Sequence, residues 1–279
     1  MSASWPAGLT LLIVAMSGVL GLAIGSFLNV VVYRVPMYLS VVSPPSACPR
    51  CGAQIAPRDN IPVLSWLLLA GKCRTCKTSI SARYPLVEAG TALAFVAVTS
   101  RMLSGPSDAG VASELLILTG FLYLVAISIA LALIDLDVHR LPNPLVLPSY
   151  VVGAVLLGSA AALSGDLAAV LRAGAGLAAL WVAYFILALA YPGGMGFGDV
   201  KLAGVLGLFL GFLGWGELAV GAFAAFLLGG IYAGGLLVSG RATRKSGIPF
   251  GPWMLIGAWV GIFFGGWLWT GYLSVLGVI

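Results

Sequence analysis

Runs of about 18 or more apolar residues recur from one end of this chain to the other, and a helix needs a run of that length to cross a bilayer. Water does not reach the backbone inside a bilayer, so a chain with several such runs folds as a bundle of helices. Only 8% of the 279 residues are charged, against roughly a quarter in ordinary soluble domains. Mean hydropathy is +1.09. These values argue against a soluble domain with buried helices. The 38 glycines fit the membrane reading, because small residues let helices approach closely where no hydrophobic effect drives them together. The expected fold is an all-α polytopic membrane protein of about eight transmembrane helices.

The expected spans are about Leu9 to Tyr33, Tyr84 to Leu103, Glu114 to Ile134, and one from the Pro142-Asn143-Pro144 break to about Leu163. A fifth ends near Tyr191, where Pro192-Gly193-Gly194 breaks it. The last three are Val200 to Leu213, Glu217 to Val238, and a span entered through Ile248-Pro249-Phe250-Gly251-Pro252. No basic region precedes the first span and Arg34 follows it, which reads as an uncleaved anchor with its N-terminus outside. Connections 34–83, 135–144, 192–201 and 239–249 then share the cytosolic side and hold twelve of the fourteen Lys and Arg residues. Positive charge marks that side, so both termini are expected in the periplasm. The net charge of +5 needs no nucleic-acid partner. Three segments follow: 1–33, the first transmembrane helix; 34–83, a cytosolic segment; and 84–279, the remaining membrane-embedded part.

The 34–83 segment holds all four cysteines, as Cys48-Pro-Arg-Cys51 and Cys73-Arg-Thr-Cys76, with 21 residues between the pairs. Two C-x-x-C pairs at this separation form a four-thiolate zinc site. Four thiolates fill a tetrahedral ion, so its role is structural. Two disulfides are the competing reading, disfavoured on a reducing cytosolic face.

Two hydrophobic runs end in acid. Ile134-Asp135-Leu136-Asp137 closes one, and Gly196-Phe197-Gly198-Asp199 opens another. An ionisable side chain at such a boundary is a functional candidate by default. Asp135 and Asp137 would lie about 200° apart on a helix, so only one can face a given partner. Gly198 leaves room for close approach beside Asp199. Two carboxylates in one site can divide into an acid and a base, able to activate water without a metal. The alternative is that each acid caps a helix or pairs with Lys201, Arg140 or His139, the single histidine. No Ser-His-Asp set can be argued, and no H-E-x-x-H occurs.

These motifs resemble those of the bacterial prepilin peptidases, or type IV leader peptidases, which are G-x-G-D membrane aspartic proteases. Gly196-Phe197-Gly198-Asp199 matches the G-x-G-D motif, continued by Val200-Lys201. Asp135, five residues, then Leu141-Pro142-Asn143 match the first aspartate motif, making Asp135 the catalytic acid and Asp137 a neighbour. Gly25-Ser26-Phe27-Leu28-Asn29-Val30, Asp59-Asn60-Ile61-Pro62, Arg83-Tyr84-Pro85-Leu86-Val87-Glu88 and Ile248-Pro249-Phe250-Gly251-Pro252 extend the likeness over nearly the whole chain.

The resemblance implies two reactions at the cytosolic face of the bacterial inner membrane. One is removal of the leader from prepilins and pseudopilins by Asp135 and Asp199. The other is methylation of the new N-terminus with S-adenosylmethionine. It also implies a peptidase domain over 84–279 and zinc on Cys48, Cys51, Cys73 and Cys76. Glu88 and Gly90, beside the cysteine segment, are candidates for S-adenosylmethionine, with helix packing or capping as their alternative. Two rivals stay open: a peptidase without methylase activity, and a transporter or scaffold with a zinc-ribbon adaptor that uses its acids as a relay.

Overall fold

The structure is a computed structural model and describes residues 5–104, 110–191, 194–241 and 247–278. Among the described residues its regular elements are helices, with two isolated bridges, Ala47 with Gln54 and Lys72 with Ser79. The helices are α1 (Ala7–Arg34), α2 (Leu64–Leu68), α3 (Arg83–Leu103), α4 (Val111–Val138), α5 (Asn143–Ser164), α6 (Leu167–Ala190), α7 (Phe197–Leu213), α8 (Trp215–Val238) and α9 (Gly251–Val275). Among the described residues seven are long and apolar enough to cross a membrane, namely α1, α3, α4, α5, α6, α8 and α9. The eighth expected span is α7, at 17 residues. Asp108, the Pro192-Gly193 break, and Arg244 and Lys245 of the last basic loop lie outside the described residues.

One boundary differs from expectation. Asp135 falls inside α4, not in the connection after it, because the helix runs on to Val138. Nothing between Ile134 and Val138 breaks a helix. The stop comes at His139, which turns left-handed at φ 53° and donates its N–H to the Asp135 carbonyl. Pro142 then flanks α5, and Pro144 sits in its first turn, where a missing N–H costs nothing.

The chain divides into two compact units. The first is Met1–Ser107 with Phe121–Ala130, and the second is Asp108–Gly120 with Leu131–Ile279. In the first unit α1 packs on α3. A Cβ on Gly21 would lie 2.7 Å from the Ala92 Cα, and one on Gly25 2.7 Å from the Glu88 Cα. In the second unit α7 is central, packed by α5, α6, α8 and α9. A Cβ on Gly211 would meet the Arg172 carbonyl at 2.5 Å, and one on Gly261 the Glu217 carbonyl at 2.5 Å. The helices touch through backbone at these points, the small-residue packing that suits a lipid environment.

Gly261→Leu is therefore predicted to force α8 and α9 apart, with a loss on the scale of overpacking, about 1–3 kcal/mol or more. Gly235→Ala, with nothing within 4 Å of its added methyl, should leave stability unchanged. Thermal unfolding in detergent compares them, and equal midpoints would refute the packing argument.

Candidate active site

The second unit holds the two acids expected to work together. Asp135 is 5% exposed and Asp199 is 9% exposed, whereas Asp137 is exposed. Burial thus separates the two aspartates of α4 as helical geometry requires. Each buried carboxylate is met by the start of a helix. Asp199 lies in the first turn of α7, and its Oδ2 accepts the Gly196 N–H at 3.1 Å. Asp135 reaches across to α9, where its Oδ2 accepts the Gly251 N–H at 3.1 Å. Helix starts carry unpaired N–H groups and partial positive charge, so they suit carboxylates that have left water. Capping and chemistry are compatible here, because a carboxylate has a second oxygen.

Leu141 brings the two acid-bearing motifs together. A Cβ on Gly198 would lie 3.1 Å from the Leu141 Cβ, and one on Gly251 3.3 Å from its Cδ2. The leucine is thus packed against the glycine before Asp199 and against the glycine that holds Asp135. The Asp135 carboxylate acts electrostatically on Asp199. Lys201 does related work beside them. Its ammonium donates to Asn143 Oδ1 at 2.5 Å and lies 5.3 Å over the Phe197 ring. The Tyr150 hydroxyl donates to the Lys201 carbonyl at 2.5 Å. These bonds join the beginnings of α5 and α7. His139 is exposed.

The cysteines lie in the first unit, in two turns built alike. In the first, the Gly52 N–H donates to the Cys48 carbonyl and the Cys48 N–H to the Ala53 carbonyl. In the second, Lys77 donates to Cys73 and Cys73 to Thr78. Gly52 and Lys77 take matching left-handed backbones, φ 69° and 57°. The backbone N–H groups of Cys51 and Arg50 pull the Cys48 thiol down to about 6, and those of Cys76 and Thr75 lower that of Cys73. All four thiols are free, and their sulfurs lie within 4.8 Å of one another. Zn–S bonds of about 2.3 Å place tetrahedral sulfurs about 3.8 Å apart, and Cys48 to Cys76 is 3.8 Å. The set fits a zinc ion. A bidentate pair links it to the turn before α2: Arg74, between Cys73 and Cys76, donates to both Asp59 oxygens at 2.6–3.0 Å. That guanidinium holds the Asp59 carboxyl below the usual carboxylate range.

Glu88 is buried at 8% exposure, and its carboxylate accepts the Val63 N–H at 2.6 Å. Val63 has φ 61°, a strained conformation for a β-branched residue. Gly90 is exposed with nothing within 4 Å of an added Cβ. Two residues along α3 is about 200°, so Glu88 and Gly90 lie on different faces of that helix.

A model described as the bacterial peptidase A24 N-terminal domain matches residues 19–102, and one of the type IV leader peptidase family matches residues 122–234. The prepilin leader peptidase/N-methyltransferase of Aeromonas salmonicida (strain A449) is 37% identical, over 96% of this chain and 97% of its own length. The chain belongs to the type IV leader peptidase family. Proteins of the same description from Pseudomonas putida and Burkholderia pseudomallei (strain 1026b) are 34% and 36% identical. They cover 95% and 94% of this chain, and the matches span 95% and 88% of their own lengths. No solved structure matches it. Membership in the leader peptidase family removes the transporter or scaffold rival.

Three features of this leader peptidase family chain escape sequence reasoning: the Gly251 N–H on Asp135, the wedge of Leu141, and the Lys201 bond to Asn143. The Gly251-Pro252 pair carried a signal, since proline marks a first helical turn and such a turn offers donors. Nothing in the sequence says which acid receives them.

A Cβ at position 251 would lie 2.7 Å from Asp135 Oδ2. Gly251→Ala should displace that carboxylate and lower turnover of a prepilin on the order of 100-fold, the scale of an ångström's misplacement. Folded yield should match the parent, and wild-type turnover by this variant would contradict the placement of Asp135.

Proposed function

We propose that this chain removes the leader from type IV prepilins and pseudopilins with Asp135 and Asp199, then methylates the new N-terminus with S-adenosylmethionine. The observation that carries the peptidase reading is the pair of buried carboxylates, each oriented by one backbone N–H within a single helical unit. One carboxylate takes a proton from water as its oxygen attacks the scissile carbonyl. The other gives a proton to the departing side. Burial strengthens both interactions by excluding bulk water. The methylase reading rests on the names of relatives that span nearly the whole chain. S-adenosylmethionine would supply the methyl group. Glu88 and Gly90 stay our candidates for contact with it, and Glu88 also supports the cysteine segment through Val63.

The cysteines would hold one structural zinc, which cross-links two turns and leaves no open coordination position. The supporting features are the clustered sulfurs and the paired turns. We place the chain in the bacterial inner membrane with both termini periplasmic and the acids toward the cytosol, on the bias of basic residues and an even number of spans once the 17-residue α7 is counted with the seven longer helices. The working division remains 1–33, 34–83 and 84–279.

Incubation of the purified chain with a prepilin and S-adenosylmethionine, followed by intact mass of the product, tests both reactions. Asp135→Asn and Asp199→Asn should each abolish cleavage, and the double variant should be no worse, because the two act as a unit. Asp137→Asn should retain substantial cleavage. An inactive Asp137→Asn beside an active Asp135→Asn would reverse the assignment.

Metal analysis of the parent should find about one zinc per chain, lost on combining Cys73→Ser with Cys76→Ser. The variant should release a cleaved pilin poor in the methyl group. Unchanged zinc content would end the metal assignment.

A further inference from the structure

The 34–83 segment reads in sequence as a small cytosolic lobe, yet its surface is not that of a lobe in water. Three of the five residues of α2 are leucines that find no cover in the first unit: Leu64, Leu67 and Leu68 are 48%, 60% and 76% exposed. Their spacing of three and four puts them on one face. The other side of the helix is fastened down. Ser65 is buried and bonds to Ile61 and Arg58. The Trp66 indole donates to the Ile80 carbonyl and packs over Gly71. The leucines are therefore held outward by a fixed helix.

Their level relative to the bilayer follows from α3. That helix has 21 residues, so it is about 31 Å long, and the hydrocarbon core is about 30 Å thick. It has almost no length to spare, and its first turns must lie at the boundary of the core. Glu88 is in the second turn and holds the Val63 N–H at 2.6 Å. Helical side chains lean toward their N-terminus, so Val63 is level with the opening turns of α3. The neighbouring end of α1 is tied to the same level, where Asn29 Nδ2 donates to the Tyr84 carbonyl at 3.2 Å. Helix α2 starts at the next residue, Leu64. Charge agrees with this level: residues 34–83 hold seven Lys and Arg and one acid, Asp59, already paired with Arg74. A leucine face beside basic residues is the composition of an element lying in the membrane surface.

We infer that α2 is embedded in the membrane, with Leu64, Leu67 and Leu68 in the boundary between anionic headgroups and acyl chains. The cysteine segment is thus seated on the lipid by its own apolar foot. This inference stands on the first unit alone and is independent of the peptidase reading.

The test uses the full, unsubstituted chain in nanodiscs of phosphatidylethanolamine and phosphatidylglycerol that contain a lipid with a diazirine in its acyl chain. After illumination and digestion, the peptide covering 64–68 should carry label, and the turn at Thr75 should carry none. Label confined to the long helices would overturn the inference. A second measurement replaces Leu67 or Leu68 with the photo-crosslinker benzoylphenylalanine, with Thr75 as the aqueous control, and adds a prepilin. Lipid adducts at 67 and 68 support the inference. Adducts to the prepilin in place of lipid would make this face a substrate surface and overturn it.

Discussion

A carboxylate enclosed by lipid-embedded helices has no shell of water, so the protein must provide its donors. Here the donors are helix starts. Gly196 opens α7 over Asp199, and Gly251 opens α9 against Asp135. Much else follows from this requirement. The two helices must begin where they do, and α4 must extend one turn further than its hydrophobic run to deliver Asp135. Glycine is needed at 251 because of what stands opposite, a carboxylate oxygen, and not because of any unusual backbone angle. Leu141, between Gly198 and Gly251, keeps the two arrangements in register.

The long helices were legible because their signal is carried by each run alone. So were the clustering of four cysteines and the separation of Asp135 and Asp137 onto different faces of α4, since spacing sets both. The end of α4 was misplaced because its apolar run stops at Ile134, whereas the helix stops at a left-handed histidine two residues past the second acid. The contacts that unite the site were not legible for a different reason. The Gly251 bond joins residues 116 apart in sequence, and the Lys201 bond joins residues 58 apart. Neither partner's residue type names the other. Glu88 shows the same limit: nothing in the sequence says that one of its carboxylate oxygens accepts the Val63 N–H, 25 residues away.

The cysteine segment illustrates how little apolar core such a lobe needs. Its order comes from backbone turns, the Asp59–Arg74 fork, the Trp66 indole on Ile80 and the Glu88 tether. Val63 keeps a backbone conformation that a β-branched residue avoids, and the buried carboxylate facing its N–H is the partner that offsets that cost. The segment and the first membrane hairpin are accordingly one folding problem, which agrees with their falling in a single compact unit.

Helix α7 has one further property. Thirteen of its 17 residues are buried, and those that are not lie in its first turns and at its end. A helix that touches lipid along its length must match the thickness of the bilayer or tilt to do so. Wrapped by α5, α6, α8 and α9, α7 answers to its neighbours instead. The depth of Asp199 is then set by protein packing, and the same carboxylate would sit at the same level in membranes of differing thickness.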